Sequence, residues 1–126
     1  MAAEVREDLK YTETHEWVKV NGDIAIIGIS DHAQKELTDI VFAELPEVGK
    51  QIGRGEELCV VESVKSVSEI YAPIGGVVTA VNDELNDSPE LINESPYDDG
   101  WLVEIEIEKK EEIDELLDAE AYKKQL

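Results

Sequence analysis

The stretch Cys59-Val-Val-Glu-Ser-Val-Lys-Ser-Val-Ser-Glu-Ile-Tyr71 leaves this chain few ways to fold. Val60, Val61 and Val64 precede a small polar break, and Val67, Ile70 and Tyr71 follow it. β-Branched and aromatic residues on both sides of a break read as two short strands folded back on each other, with Lys65 at the tip. No Asn-Gly or Asp-Gly marks the turn, so its place is inferred from the near-symmetry of Ser63-Val64-Lys65-Ser66. Lys65 is also the only basic residue from Gly55 to Glu108. On an ordinary hairpin such a lysine is a solubilising charge. Here its isolation, and the small serines that leave it uncovered, make it a side chain that an enzyme could modify without meeting a rival.

The rest of the chain repeats the pattern of short strands and turns. Glu16-Trp-Val-Lys-Val20 alternates and runs into Asn21-Gly22, a strong hairpin signal, and Asp23 to Ile29 returns. Ser30 or Asp31 can cap a helix to about Leu37, with Gln34 placed for a capping box to Asp31. Val41 to Leu45 is the next strand, and Gly53-Arg-Gly55 a turn before the lysine hairpin. Ala72-Pro73 and Gly75-Gly76 then break the chain before a strand from Val77 to Val81. Ser88-Pro89-Glu90 opens a helical turn, and Trp101 to Ile107 alternates, with Trp101, Val103, Ile105 and Ile107 on one face. Ile113, Leu116, Leu117, Ala121 and Tyr122 form a helical stripe, broken into two short helices near Asp118. Residues 1–10 are polar and expected to be loosely held. The whole, 1–126, reads as one mostly β domain, a sandwich or flattened barrel with one early helix and a short helical tail. Val41-Phe-Ala and Ile70-Tyr-Ala, each followed by Pro and Gly, hint at an internal duplication.

Thirty-one Asp and Glu against eleven Lys and Arg give a formal net charge of −20. Such a surface repels nucleic acid and anionic membranes, and it favours a monomer that meets basic patches on protein partners. One cysteine, Cys59, forms no internal disulfide, and the N-terminus has neither a signal-peptide core nor transit-peptide character, so a cytoplasmic location is expected. Catalytic patterns are missing. His15 and His32 have no metal-binding company, Cys59 lies in an apolar strand, and no phosphate loop or nucleophile elbow occurs. No enzymatic activity is expected of the chain itself. A reachable lysine without a catalytic partner has one strong use: acylation by a cofactor, which turns the domain into a handle that presents a long arm.

Specific motifs take this further. Tyr11-Thr-Glu-Thr-His-Glu-Trp-Val18, Gly28-Ile-Ser-Asp-His-Ala-Gln34, Asp39-Ile-Val-Phe-Ala-Glu-Leu-Pro-Glu-Val-Gly49, Glu62-Ser-Val-Lys-Ser-Val-Ser68, Tyr71-Ala-Pro73, Ser88-Pro-Glu-Leu-Ile-Asn93 and Gly100-Trp101 together resemble the H-protein family of the glycine cleavage system. The resemblance runs from about Tyr11 to Tyr122. It implies a barrel-sandwich, lipoyl-domain-like fold of two antiparallel sheets, with lipoate in amide linkage on Lys65. It implies ligase recognition at Glu62 and Gly76, and modification by a lipoate ligase or octanoyltransferase. The implied partners are glycine decarboxylase (the P protein), aminomethyltransferase (the T protein) and dihydrolipoamide dehydrogenase (the L protein), between which the arm shuttles. Thr38 stands where that family commonly has glycine, and Gly75 where a small polar residue is usual.

Charge adds an expectation about the loaded arm. An aminomethyl group is cationic at neutral pH, so carboxylates at its resting place would hold it. Glu16 and Glu69 are the candidates, with Thr14 as a hydrogen-bond partner. Other readings remain open at the level of sequence: an H-like relay donating lipoyl groups to 2-oxoacid dehydrogenases, biotin carriage, a thiol enzyme using Cys59, or a non-enzymatic binding module. Biotin fits less well, since Val64 and Ser66 flank the lysine where methionines would be expected.

Overall fold

The computed structural model describes residues 3–126, and every structural statement below concerns those residues. Its strands are β1 (Lys10–Tyr11), β2 (Glu16–Asn21), β3 (Ile24–Ile29), β4 (Ile40–Glu44), β5 (Gln51–Ile52), β6 (Glu57–Ser63), β7 (Val67–Tyr71), β8 (Gly76–Val81) and β9 (Val103–Ile107). The helices are α1 (Asp31–Leu37), α2 (Glu84–Asp87), α3 (Leu91–Glu94) and α4 (Ala119–Gln125), with a 3-10 segment at Lys110–Glu115. The strands form a six-stranded sheet, β1-β2-β3-β9-β8-β5, and a three-stranded sheet, β4-β6-β7, with all pairs antiparallel. This is the mostly β, two-sheet sandwich with an early helix and a helical tail.

Alternation along each strand decides what lies between the sheets. Val18, Ala25, Ile27, Val61, Ile70, Val78, Val103 and Ile105 point inward and join one buried cluster. Trp17 points the other way from Val18. It joins Leu9, Tyr11, Tyr97, Ala119 and Tyr122 in a second cluster on the outer face of the large sheet, beneath the helical tail. Trp17 lies opposite Gly28, and a Cβ at Gly28 would fall 2.6 Å from the indole. A residue with no side chain is therefore what lets the tryptophan lie flat on its neighbour strand.

Several boundaries differ from the sequence reading. Ser30 caps α1, accepting the Ala33 N–H at 3.2 Å, while the Gln34 amide donates to the Asp31 carboxylate instead of closing a capping box. Gly76 lies inside β8 and not in the preceding break. Trp101 precedes β9 and packs with the second cluster, so the alternating face begins at Val103. The two-residue strands β1 and β5 and the short α2 carry too few residues for periodicity to show. The described part of the N-terminal stretch is tied down rather than loose. Arg6 makes a forked pair with Asp98, the Tyr97 hydroxyl donates to the Glu4 carbonyl, and Leu9 is buried. The tail is two short helical pieces that meet at Asp118, which caps α4 through the Ala121 N–H. No helix is long and apolar enough to cross a membrane.

Candidate functional site

Lys65 sits fully outside the strands, at the tip of the β6–β7 hairpin, where Val64, Lys65, Ser66 and Val67 are all exposed. The turn is built by Ser63. Its hydroxyl accepts the backbone N–H of Lys65 at 3.1 Å and of Ser66 at 3.0 Å, and lies 3.2 Å from the Ser66 carbonyl. The Ser63 N–H closes the hairpin on that same carbonyl at 2.8 Å. A serine that accepts from the two residues after it substitutes for the missing Asn-Gly signal, since a hydroxyl can act as a backbone acceptor in a tight turn. The tip is also tied to the end of α1. Val64 N–H donates to the Asp39 carbonyl at 3.0 Å, and the Lys65 ammonium donates to the Glu36 carbonyl at 3.1 Å.

The other expected site residues fall in three different places. Glu62 lies on the outer face of the small sheet, in a cross-strand row between Phe42 and Val67, both well exposed. It is a carboxylate framed by open apolar surface immediately beside the lysine turn. Gly76 is buried in the large sheet opposite Ile52 and Ile107, where a Cβ would stand 2.0 Å from the Glu106 carbonyl oxygen. Close strand approach alone demands glycine there. Glu69 is exposed on β7, on the same outer face as Val67 and Tyr71.

Glu16 and Thr14 lie in a cleft of about 500 Å³ at the far end of β7 from the lysine, lined by Tyr11, Thr12, Tyr71, Ala72, Leu116 and Leu117 among others. Glu69 is not part of its lining. Glu16 is 1% exposed, yet among the described residues no cation pairs with it. Thr12 and Thr14 donate their hydroxyls to Oε1 at 2.5 Å each, and the Tyr71 N–H reaches Oε2 at 3.4 Å. Burial raises the carboxyl above its ordinary value, and these donors oppose that rise. The result is a buried carboxylate whose partners are all neutral, with one lightly engaged oxygen at a cleft that polar and apolar side chains line together. A buried carboxylate with neutral partners alone is an arrangement suited to taking up a cation. An Arg54–Glu115 ion pair stands on the rim.

Sequence reasoning missed the support behind this cleft. The Tyr122 hydroxyl bonds His15 Nδ1 at 2.7 Å and Ser30 Oγ at 2.6 Å, and its ring stacks on Tyr11 at 4.4 Å. His15, with φ of 73°, occupies the left-handed region and places the Thr12–Glu16 loop. Burial lowers the His15 pKa, with the nearby His32 acting in the same direction, and pushes Tyr122 up to about 12. A tyrosine more than a hundred residues away in sequence gives no local signal. Cys59 is buried, and burial followed by the nearby Glu16 pushes its thiol far above the ordinary value. It is a protonated core group, unsuited to act as a nucleophile. No cluster of three metal-ligating side chains occurs among the described residues.

The pattern of the family described as "Glycine cleavage H-protein" matches residues 9–126. The chain is 52% identical to the probable glycine cleavage system H protein of Haloarcula marismortui over 126 residues, all of this chain and 99% of that one. It is 55% identical to the glycine cleavage system H protein of Carboxydothermus hydrogenoformans over 122 residues, 97% of this chain and 94% of that one. The crystal structure of a glycine cleavage system H protein from Mycobacterium marinum superposes with a TM-score of 0.89 at 37% identity, covering 96% of this chain and 98% of that chain.

Proposed function

The chain belongs to the glycine cleavage H-protein family and is a lipoyl carrier of the glycine cleavage system, and within that role we propose that Lys65 is the attachment residue. The observation that carries this is the hairpin tip. It is a lysine with no other basic residue from Gly55 to Glu108, held at an exposed turn by a serine that fixes the backbone on both sides of it. Acylation of that amine by lipoate would leave a long arm and supply a disulfide that takes up a one-carbon amine and electrons.

The chain's own residues then present and hold. The outer face of β7, from Val67 through Glu69 to Tyr71, leads from the lysine toward the cleft, about 13 Å at the rise of an extended strand. Tyr71, Leu116 and Leu117 offer apolar walls to an acyl chain, and Glu16, oriented by Thr12 and Thr14, offers a carboxylate to an ammonium at its end. Glu69 would meet the arm in passing, since it is outside the cleft. Glu62 and Gly76 are proposed as the positions a lipoate ligase or octanoyltransferase reads, Glu62 by direct contact beside the lysine and Gly76 through the strand packing it permits. Partners are the glycine decarboxylase, the aminomethyltransferase and the dihydrolipoamide dehydrogenase. The chain supplies presentation and high local concentration to their active sites, with no catalytic group of its own.

Intact mass and peptide mapping after incubation with lipoate, ATP and a lipoate ligase test the reading. One lipoyl adduct on Lys65, absent in Lys65→Ala, is the expected result. No adduct on a folded protein overturns the attachment, and an adduct without transfer by the P and T proteins moves the carrier to another lipoyl pathway.

A further inference from the structure

We propose that Asn93 is a positioning residue for the Lys65 turn, acting through residues 38–40; the proposal rests on Lys65 as the acylated residue. Asn93 stands on α3, at the end of the Ser88-Pro-Glu-Leu-Ile-Asn93 motif, which the carrier reading leaves without a task. Its carboxamide is fully used. Nδ2 donates to the Thr38 carbonyl at 2.8 Å and to Gln34 Oε1 at 3.0 Å, and Oδ1 accepts the Ile40 N–H at 2.8 Å. One side chain thus grips the backbone on both sides of Asp39.

Asp39 is where the grip reaches the lysine. Its carbonyl accepts the Val64 N–H, the Glu36 carbonyl accepts the Lys65 ammonium, and Ile40 is the register partner of Ser63. Ser63 sets the shape of the turn, whereas the ties that aim the turn relative to the body run to residues 36–40. That segment needs holding. Thr38 has φ of 67° and ψ of −152°, a region open to glycine and poorly suited to a β-branched residue. Left alone, Thr38 relaxes toward ordinary φ, which swings the Asp39 carbonyl away from Val64. Asn93 fixes the carbonyl on one side of that bend and the N–H on the other.

The test measures two things on the full chain: the rate of Lys65 acylation by a lipoate ligase with lipoate and ATP, and amide exchange at Val64 by NMR. The variants are Asn93→Ala, Asn93→Asp, and Asn93→Ala with Thr38→Gly. Asn93→Ala is expected to lower kcat/KM for acylation at least about fivefold, the factor that corresponds to one neutral hydrogen bond, and to speed exchange at Val64 by a similar factor. Exchange at the core amides of Val61 and Ile105 stays unchanged. Adding Thr38→Gly restores at least half of the lost rate, because glycine adopts the bend unaided. A merely structural role would loosen core amides together with Val64 and would show no rescue. Wild-type acylation and Val64 exchange in a folded Asn93→Ala protein overturn the proposal. Should that variant not fold, Asn93→Asp keeps the acceptor for Ile40 and loses both donated bonds, and the same two readouts decide. If the unsubstituted protein is not acylated at all, the attachment reading fails on its own, while Val64 exchange still decides the positioning.

Discussion

Ser63 holds the backbone of Lys65: its hydroxyl accepts the lysine N–H at 3.1 Å from an exposed turn that contributes little to the core. Removing one solvent-exposed hydrogen-bonded group costs about 1 kcal/mol or less in global stability. The same loss applied to the population of the competent turn corresponds to an acylation rate lower by about fivefold. Ser63→Ala should therefore lower the urea midpoint by less than about 1 M while slowing Lys65 lipoylation about fivefold. Ser63→Thr, which keeps the hydroxyl, should restore most of the rate. Equal rates for the alanine variant and the original protein would remove Ser63 from the account.

Gly76→Ala is expected to act first on stability. The added methyl would stand 2.0 Å from the Glu106 carbonyl oxygen and 2.5 Å from the side chain of buried Ile105, both on the paired strand β9. Backbone cannot yield there without parting β8 from β9, so a loss of about 3 kcal/mol or more is expected from denaturant unfolding. Acylation of the folded fraction then tells packing from recognition. A rate like that of the original protein assigns the glycine to packing, and a folded but poorly acylated variant assigns it to the ligase.

Thr38→Gly should move the other way. The bend at the exit of α1 puts a β-branched residue at φ of 67°, at a cost of about 1–3 kcal/mol, part of which glycine's greater freedom in the unfolded chain offsets. A net gain of about 1 kcal/mol is expected from urea unfolding. A loss would mean that the bonds around Thr38 favour the threonine more than its backbone opposes it.

What could be read from sequence follows from the reach of each interaction. The lysine hairpin, the Asn21-Gly22 turn and the alternation of β9 are local, since the residues that decide them are neighbours in the chain. Lys65 and Glu16 stand out as candidates in the sequence because each lies in a motif. The residues that hold them in place do not. Asn93 grips Thr38 and Ile40 from 53 or more positions away, and Tyr122 reaches His15 across 107. No periodicity or spacing rule reports a bond of that range. Alternation groups Trp101 with Val103 for a related reason: it predicts a face only while the strand lasts, and the chain before Val103 leaves the sheet to carry the indole to the other side. Glu69 shares its face with Tyr71 but stops short of the cleft, because the strand sets the face and the loops set the cleft.

Glu16→Gln links stability to function with opposite signs. Burial raises the Glu16 carboxyl above its ordinary value, against the hydroxyls of Thr12 and Thr14 and the Tyr71 N–H. With the folded pKa above the unfolded one, the folded chain binds more protons than the unfolded chain at pH values just above the ordinary carboxylate range. The group's contribution to stability therefore falls as pH rises through that window, and above it the ionised carboxylate is a steady cost. Glutamine fills the same space without charge, so the variant should melt higher than the original protein near pH 7. That advantage should shrink toward about pH 4, where the original carboxyl is protonated. The same change removes the one buried carboxylate that faces the cleft among the described residues. A lipoyl arm loaded with an aminomethyl group should then lose its amine faster, which ammonia release from the isolated loaded protein measures directly. A higher melting point with faster release is the expected pair. Unchanged release would detach Glu16 from the arm, whatever the melting curves show.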